Sequence, residues 1–551
     1  MDIAKIEQAL LLSFCMLIVV PLLFIFRSFD HNTFTNWQWV FSGPGMARVF
    51  LLIVPAIFCA YGVARLSLAG PRAIAFLFVL SLAAVLPLWS GPESVIDASR
   101  YFIQAKAMKE YGISYFFKEW GRSIPAWTDL PLVPFLYGLL FSRAGEARAV
   151  IQAFNSVLFA LTAVLTFLIG KKLWDEDTGL RAGFLLLGGP YLLVQAPLLL
   201  VDVPTMFFLT LSVHAFLLAI EQGGFARTTA AALVICAAFF SKYSTWPMLA
   251  LIPVIAAVRP GSDAKKTWIR TCAVLGMSLA LASLIIALRL DFFREQFRLL
   301  WTYQRPGLGR WHEGFVSAFF FQTHPFIAGL ALFGTYRAVR KSDKNFLIPA
   351  WFFVITILLR IDRVRYLIPL LPLFVLMASY GVGAVRDGAA RRFICLSIAG
   401  TSMVVAWGAY LPFLAGTSPA NLAEAGAFLN GLGCSPVEVY ALPQKSSTGS
   451  TFAAIPLLDY FTDAAFVSPQ DWPVLPEDSA RQVSSLRFTW EMTKPAYYAK
   501  RAAENSCAVV LLSDEILDRP PPAYKGWSVK RFDLQSPMFK YQTIVTVLTR
   551  Q

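Results

Sequence analysis

Long apolar runs recur through the first three quarters of the chain, each closed by a short polar stretch. They lie near 10–27, 48–66, 73–90, 148–170, 180–199, 203–220, 228–242, 244–258, 270–289, 323–340, 345–360, 364–384 and 392–413. Most approach the roughly 17–25 residues that a helix needs to cross a bilayer. The pattern predicts a polytopic α-helical membrane protein of about 13 spans. The two runs around Ser241-Lys242-Tyr243-Ser244 are short, and one kinked span is the alternative there. Beyond residue 416 the period changes. A helical stretch over 421–432 is followed by β-rich runs at 437–440, 508–512 and 543–548, with Pro/Ser-rich connections. That grammar predicts a membrane domain over 1–416 and a small soluble α/β domain over 417–551.

Charge adds orientation. The net charge of +14 could suggest a nucleic-acid partner, but residues 418–551 carry 12 Lys/Arg against 13 Asp/Glu, so the whole excess lies in the membrane half. It concentrates in short loops at 65–72, 171–181, 227, 259–270, 337–344 and 386–392. This is the positive-inside pattern; it starts the chain inside, ends it outside, and argues for no nucleic acid. The first run, preceded only by Lys5 and with no small-residue cleavage site after it, reads as a retained helix. Five cysteines lie in apolar runs. Cys434 and Cys507 lie in the tail, where an oxidising compartment would allow a disulfide, with the connectivity open.

On this threading the segments 91–129 and 290–322 also face outward. Arg100, Lys106 and Lys109 share a helical face in the first, and 291–298 has similar character, as for helices lying in a headgroup layer. Five charged residues stand out at the outer mouth: Asp97, Asp202, Lys242 and the pair Arg363 and Arg365. Acids near a membrane helix are functional suspects, since a charge at its centre costs roughly 2.5–3.5 kcal/mol or more. Each has a plain alternative: helix capping for Asp97 and Asp202, headgroup anchoring for the arginines, snorkelling for Lys242. Guanidinium groups on the outer side break the charge rule and suit a phosphate. His312 with Glu313, and His324, show no metal-ligand spacing.

In order and spacing these residues resemble the C-type glycosyltransferase superfamily, polytopic enzymes that take sugars from polyprenyl-phosphate carriers. The nearest likeness is to bacterial relatives of protein mannosyltransferase and of lipid A aminoarabinose transferase. The resemblance rests on Asp97 and Tyr101 in an Asp-x-x-x-Tyr setting, and on Asp202, Pro204, Phe207 and Phe208 in an Asp-x-Pro helix start. It rests further on Lys242 after Phe239-Phe240-Ser241, and on Arg365, Tyr366, Pro369 and Pro372 in an Arg-Tyr-Leu-x-Pro-x-x-Pro start. It spans about 73–415, leaving two extra N-terminal spans. Two positions depart from it: Ala98 stands where many relatives have Glu, and Thr128-Asp129 stands where many have Lys before the Pro-rich helix.

The resemblance implies a glycosyltransferase in a bacterial inner membrane, with the C-terminal domain periplasmic. The donor would be a polyprenyl-phosphate-linked sugar and the acceptor a hydroxyl on a glycan, lipid or protein; no cofactor and no metal-ligand residues are expected, with any need for a divalent metal left open. The residues carry that chemistry. Arg365, Arg363 and Lys242, with Tyr366, would hold the donor phosphate and stabilise the leaving anion. Asp97 would be the general base in an inverting displacement, Asp202 a second catalytic carboxylate orienting the acceptor or Asp97, and Tyr101 and Arg100 would support the acceptor or its loop. The alternatives are a lipid or glycolipid flippase and a non-catalytic carrier-lipid-binding relative.

Overall fold

The structure, a computed structural model, describes residues 3–32, 34–42, 45–260, 263–307, 313–361, 363–472, 487–499, 506–517, 519, 521–536 and 538–550. Among them, eight helices are long and apolar enough to cross a membrane, and the protein is a multi-pass membrane protein. These eight coincide with eight of the thirteen expected runs. Three more runs form the shorter apolar helices Phe225–Ser241, Thr245–Val258 and Lys344–Leu358. The runs around Ser241 therefore form two helices that break at Lys242 and Tyr243. The run 323–340 forms the helix Pro325–Lys341. The run 180–199 is broken into Glu176–Leu186 and Pro190–Gln195, because Pro190 brings no N–H to continue the ladder. A further short apolar helix, Leu132–Ala144, falls between the expected runs.

Small residues let the central helices approach closely. A side chain at Gly334 would meet Met377 O at 2.3 Å, and one at Gly381 would meet Leu330 O at 2.2 Å, so Pro325–Lys341 and Leu371–Val382 pack backbone to backbone. That contact seats the chain segment 363–370, and hence Arg363 and Arg365, at one end of the bundle.

At that end the helix Ala98–Glu119 runs across the bundle and kinks at Gly112, whose φ of +83° only glycine adopts freely. Its basic residues turn to carboxylates of the protein. Lys106 Nζ lies 2.6 Å from Asp459 and 2.8 Å from Glu146, and Lys109 lies 2.6 Å from Glu146. The second expected surface helix, Leu290–Leu299, buries Phe292 and Gln296 and leaves Phe297 outward.

The C-terminal domain is a five-stranded sheet in the order β2-β1-β3-β5-β4, with β1 Val437–Ala441, β2 Phe466–Val467, β3 Ala508–Ser513, β4 Ser528–Phe532 and β5 Ile544–Thr549. β1 pairs in parallel with β2 and β3, while β5 pairs antiparallel with β3 and β4. β3 is buried along its whole length, which explains its unbroken apolar run. β2, of two residues, and β4, polar on its exposed edge, gave no clear strand pattern. The helix Ala420–Leu432 precedes the sheet as expected, and Cys434 is joined to Cys507.

Lys106 ties this domain to the bundle. Burial pushes the Asp459 carboxyl up to about 6, against the pull of Lys106. Lys106→Met would leave Asp459 buried without that cation, while Glu146 keeps Lys109, at a cost of about 3 kcal/mol. Because Asp459 takes a proton more readily folded than unfolded, the deficit should be largest at pH 8 and shrink towards pH 5. Thermal unfolding of wild type and variant at the two values measures it.

Candidate functional site

Asp97 occupies the N-cap position of Ala98–Glu119, but its side chain makes no capping bond. Its Oδ2 instead accepts from Arg365 Nη1 and lies 3.6 Å from Arg100 Nη2. Arg365 uses its second edge on Asp202, with Nε 2.9 Å from Oδ2. The other oxygen of Asp202 accepts from Lys242 Nζ. One guanidinium thus bridges two carboxylates that are 105 positions apart in sequence (202 − 97). Arg is suited to this because its planar fork presents two separate edges.

Local structure explains each placement. Asp202 opens the helix Asp202–Gln222, after a tight segment whose carbonyls at Leu198 and Leu200 are held by Asn155 Nδ2 and Tyr137 Oη. Lys242 ends Phe225–Ser241 in extended backbone, which throws its side chain sideways to Asp202. Arg363 lies 3.2 Å from Glu313 and, like Lys242, over the Tyr366 ring, at 5.4 and 5.3 Å to its centroid. Tyr101 Oη accepts from Arg100 at 2.9 Å.

These groups front a cavity of about 1120 Å³. Asp97, Arg100, Tyr101, Lys242, Arg363, Arg365 and Tyr366 all line it, so seven of the eight residues expected in the site converge on one space. Asp202 is not among its lining. It is fully buried behind the wall and touches Arg365 and Lys242. Asp202 therefore reaches the cavity only through these two cations, and through Arg365 it is linked to Asp97.

Sequence reasoning missed two contributors. Asp129, noted only as a departure, lines the cavity and pairs with Arg100 at 2.9 Å. Phe488, on the C-terminal domain, lines it too and packs on Trp127 with centroids 5.7 Å apart. Neither carries a local signal, since both are brought in by tertiary contacts. His324 caps its helix by accepting from Phe326 N, and His312 lies outside the described residues. Among the described residues no group of three or more His, Cys, Asp or Glu is placed to hold a metal ion.

Asp97 and Asp129, two of the carboxylates that line the cavity, differ in basicity. Burial pushes Asp97 up, but Arg100, Arg365 and Arg363 outweigh it and hold its carboxyl well below the usual carboxylate range. Burial also pushes Asp129 up, and there it wins over Arg100, leaving the group at about 6. Arg100, Lys242, Arg363 and Arg365 form ion pairs with Asp97, Asp129, Asp202 and Glu313, and Arg305, Arg360, Arg487, Glu295 and Glu491 also line the cavity.

The same architecture occurs in solved structures. ArnT from Cupriavidus metallidurans bound to undecaprenyl phosphate superposes with a TM-score of 0.57 at 11% identity, covering 87% of this chain and 98% of that one. Its apo state superposes at 0.51 and 11% identity, covering 85% and 97%. Residues 126–286 match the model of the dolichyl-phosphate-mannose-protein mannosyltransferase family. The fold is that of the C-type glycosyltransferase superfamily. Among curated protein sequences none matches the chain. The family match takes in Asp129, Asp202 and Lys242, while Asp97 and the two arginines of this C-type fold lie on either side of it.

Proposed function

We propose that the protein transfers a sugar from a polyprenyl-phosphate carrier to an acceptor hydroxyl, with inversion, on the extracytoplasmic side of the membrane. One observation carries the reading: Asp97 and Arg365, a base and an anion binder, touch each other in the wall of a cavity large enough for a sugar phosphate. The matched mannosyltransferase family and the carrier lipid on the ArnT structure support it. The Cys434–Cys507 bond supports an oxidising compartment for the C-terminal domain.

The ion pairs that Arg365 makes with Asp97 and Asp202 suggest how the reaction proceeds. The donor is a phosphodiester with one negative charge. The acceptor oxygen bonds to the anomeric carbon, the bond from that carbon to the phosphate oxygen breaks, and the carrier leaves as a monoester with a second charge. The acceptor proton passes to Asp97. As Asp97 becomes neutral, Arg365 exchanges a carboxylate partner for the new phosphate charge, so the site gains no net charge as the bond breaks. Lys242 and Arg363 hold the phosphate throughout, Asp202 positions Lys242 and Arg365, and Arg100 keeps Asp97 and Asp129 apart. Preorganised cations of this kind need no reorganisation at the transition state.

The test is purified protein in detergent, with one compartment, given polyprenyl-phosphate sugar and a panel of glycan, lipid and peptide acceptors. Transfer of label and release of carrier phosphate are the expected result; a flippase gives neither. Lys242→Ala should weaken donor use by about 10–100-fold in kcat/KM, the scale of a charge-assisted contact. An unchanged kcat/KM would remove Lys242 from the phosphate site.

A further inference from the structure

Asp97 has a second face. Behind it lies a smaller chamber of about 30 Å³, and Asp97, Arg363 and Arg365 line both spaces, so these side chains form the partition between them. The far wall has three sources. The segment joining the first two long spans supplies Thr35 and Trp37, the approach to Ala98–Glu119 supplies Ser94, and the C-terminal domain supplies Tyr541. Hydrogen bonds to backbone carbonyls lock the wall together: Lys540 N donates to Phe34 O at 3.2 Å, Asn36 Nδ2 to Met538 O at 2.7 Å, and Tyr541 Oη to Ser94 O.

Four side-chain atoms of residues on this lining are buried and find no hydrogen-bond partner among the described residues: Thr35 Oγ1, Trp37 Nε1, Ser94 Oγ and Asp97 Oδ1. The four residues are 5%, 0%, 0% and 6% exposed. A buried polar atom left unsatisfied is costly, and native proteins leave few. Four around one chamber point to a shared partner. Two hydroxyls and an indole N–H can donate, whereas an ionised carboxylate oxygen only accepts. The partner must therefore both accept and donate. Water does so, and a chamber needs roughly 10–15 Å³ of such space for one molecule.

We propose that this chamber is a hydration site in which one or two fixed water molecules bridge Asp97 Oδ1 to Thr35, Trp37 and Ser94. The two oxygens of Asp97 are then held differently, Oδ2 by Arg365 and Arg100 and Oδ1 by water. Water donating to Oδ1 favours the ionised carboxylate and fixes its plane without adding charge. The segment 27–42 lies outside the matched family region, as do Ser94, Asp97, Arg363, Arg365 and Tyr541. Its effect on transfer rests on the reading of Asp97 as base; the site itself does not.

The groups facing Asp97 are Arg100 and Tyr101 on its own helix, Arg363 and Arg365 on the partition, Lys242 across the cavity, Tyr191 and Tyr541 across the chamber, and Asp129 and Asp202 beyond the arginines. None of the added hydroxyls titrates near neutrality, so replacing Thr35 leaves that charge set intact.

Two measurements on the full chain in lipid nanodiscs test the proposal. A map that resolves solvent should show density within about 3.2 Å of Asp97 Oδ1 and Trp37 Nε1. The infrared band of the Asp97 carboxyl, identified by its loss in Asp97→Asn, should titrate about one pH unit higher in Thr35→Val, and Thr35→Ser should restore it. Ser94→Ala gives the same reading if Thr35→Val does not fold. A chamber without solvent density, a midpoint that stays put in the hydroxyl-free variant, or an acceptor hydroxyl seated in the chamber would each overturn it. Neither readout needs turnover. Density and shift present in a protein that transfers no sugar would retain the hydration site and reject the transferase reading.

Discussion

Arg365→Gln is expected to abolish transfer, by about 10³-fold or more, and to destabilise the protein at the same time. The two effects share one cause. Arg365 is the common partner of Asp97 and Asp202, both buried, and breaking a buried ion pair from one side costs about 3–5 kcal/mol because it strands the remaining charge. Arg100 still faces Asp97 and Lys242 still holds Asp202, so the protein should fold with a lowered melting temperature. The loss of transfer has a separate origin, the missing guanidinium on the leaving phosphate. Arg365→Lys separates them. A single ammonium cannot use two edges, so it should recover part of the stability and little of the rate.

The pH dependence of the deficit gives a second check. The Asp97 carboxyl is depressed in the folded protein, so its contribution to stability is complete above the ordinary carboxylate range and is lost as pH falls through its folded value. Without Arg365 that contribution is diminished at neutral pH and irrelevant in strong acid. The melting-temperature gap between wild type and Arg365→Gln should therefore be widest near pH 7 and close in acid. A gap that does not change with pH would mean that Arg365 acts through packing alone.

Asp97→Asn is expected to lower kcat by about 10²–10⁴-fold, the usual worth of a positioned general base. The amide is nearly isosteric, and Arg365 keeps Asp202 while Arg100 keeps Asp129, so the fold and the KM for donor should change little. A variant that binds carrier normally and transfers at the wild-type rate would remove Asp97 as base. In the wild type the acid limbs should also split. kcat/KM reports the free enzyme, in which the arginines hold Asp97 low, so its limb lies below about pH 4. In the complex the donor phosphate draws on Arg365, Asp97 rises, and the limb in kcat moves up. Coincident limbs would show that Arg365 does not exchange partners.

Most of the architecture was legible in the sequence because spanning a bilayer leaves few solutions: apolar length reads directly as helix. Where the reading broke, the reason is local. Pro190 splits one run, and β4 hides its strand character behind a polar exposed edge. The site residues could be found individually because charges are scarce in such a chain, so Asp97, Asp202, Lys242 and Arg365 stand out against an apolar background.

Their connections could not be found that way. Nothing in the chain says that Arg365 joins Asp97 to Asp202, that Asp202 lies behind the wall while Asp129 lines it, or that Thr35 and Tyr541 meet behind Asp97. Composition and periodicity by themselves determined the class, the helices and the list of scarce charges, because each depends on a residue and its near neighbours. Only the tertiary structure decided which charges neutralise one another and which oxygen of Asp97 is left to face the chamber. Coulombic and hydrogen-bond energies depend on separations of a few ångströms, and the packing of helices far apart in sequence sets those separations.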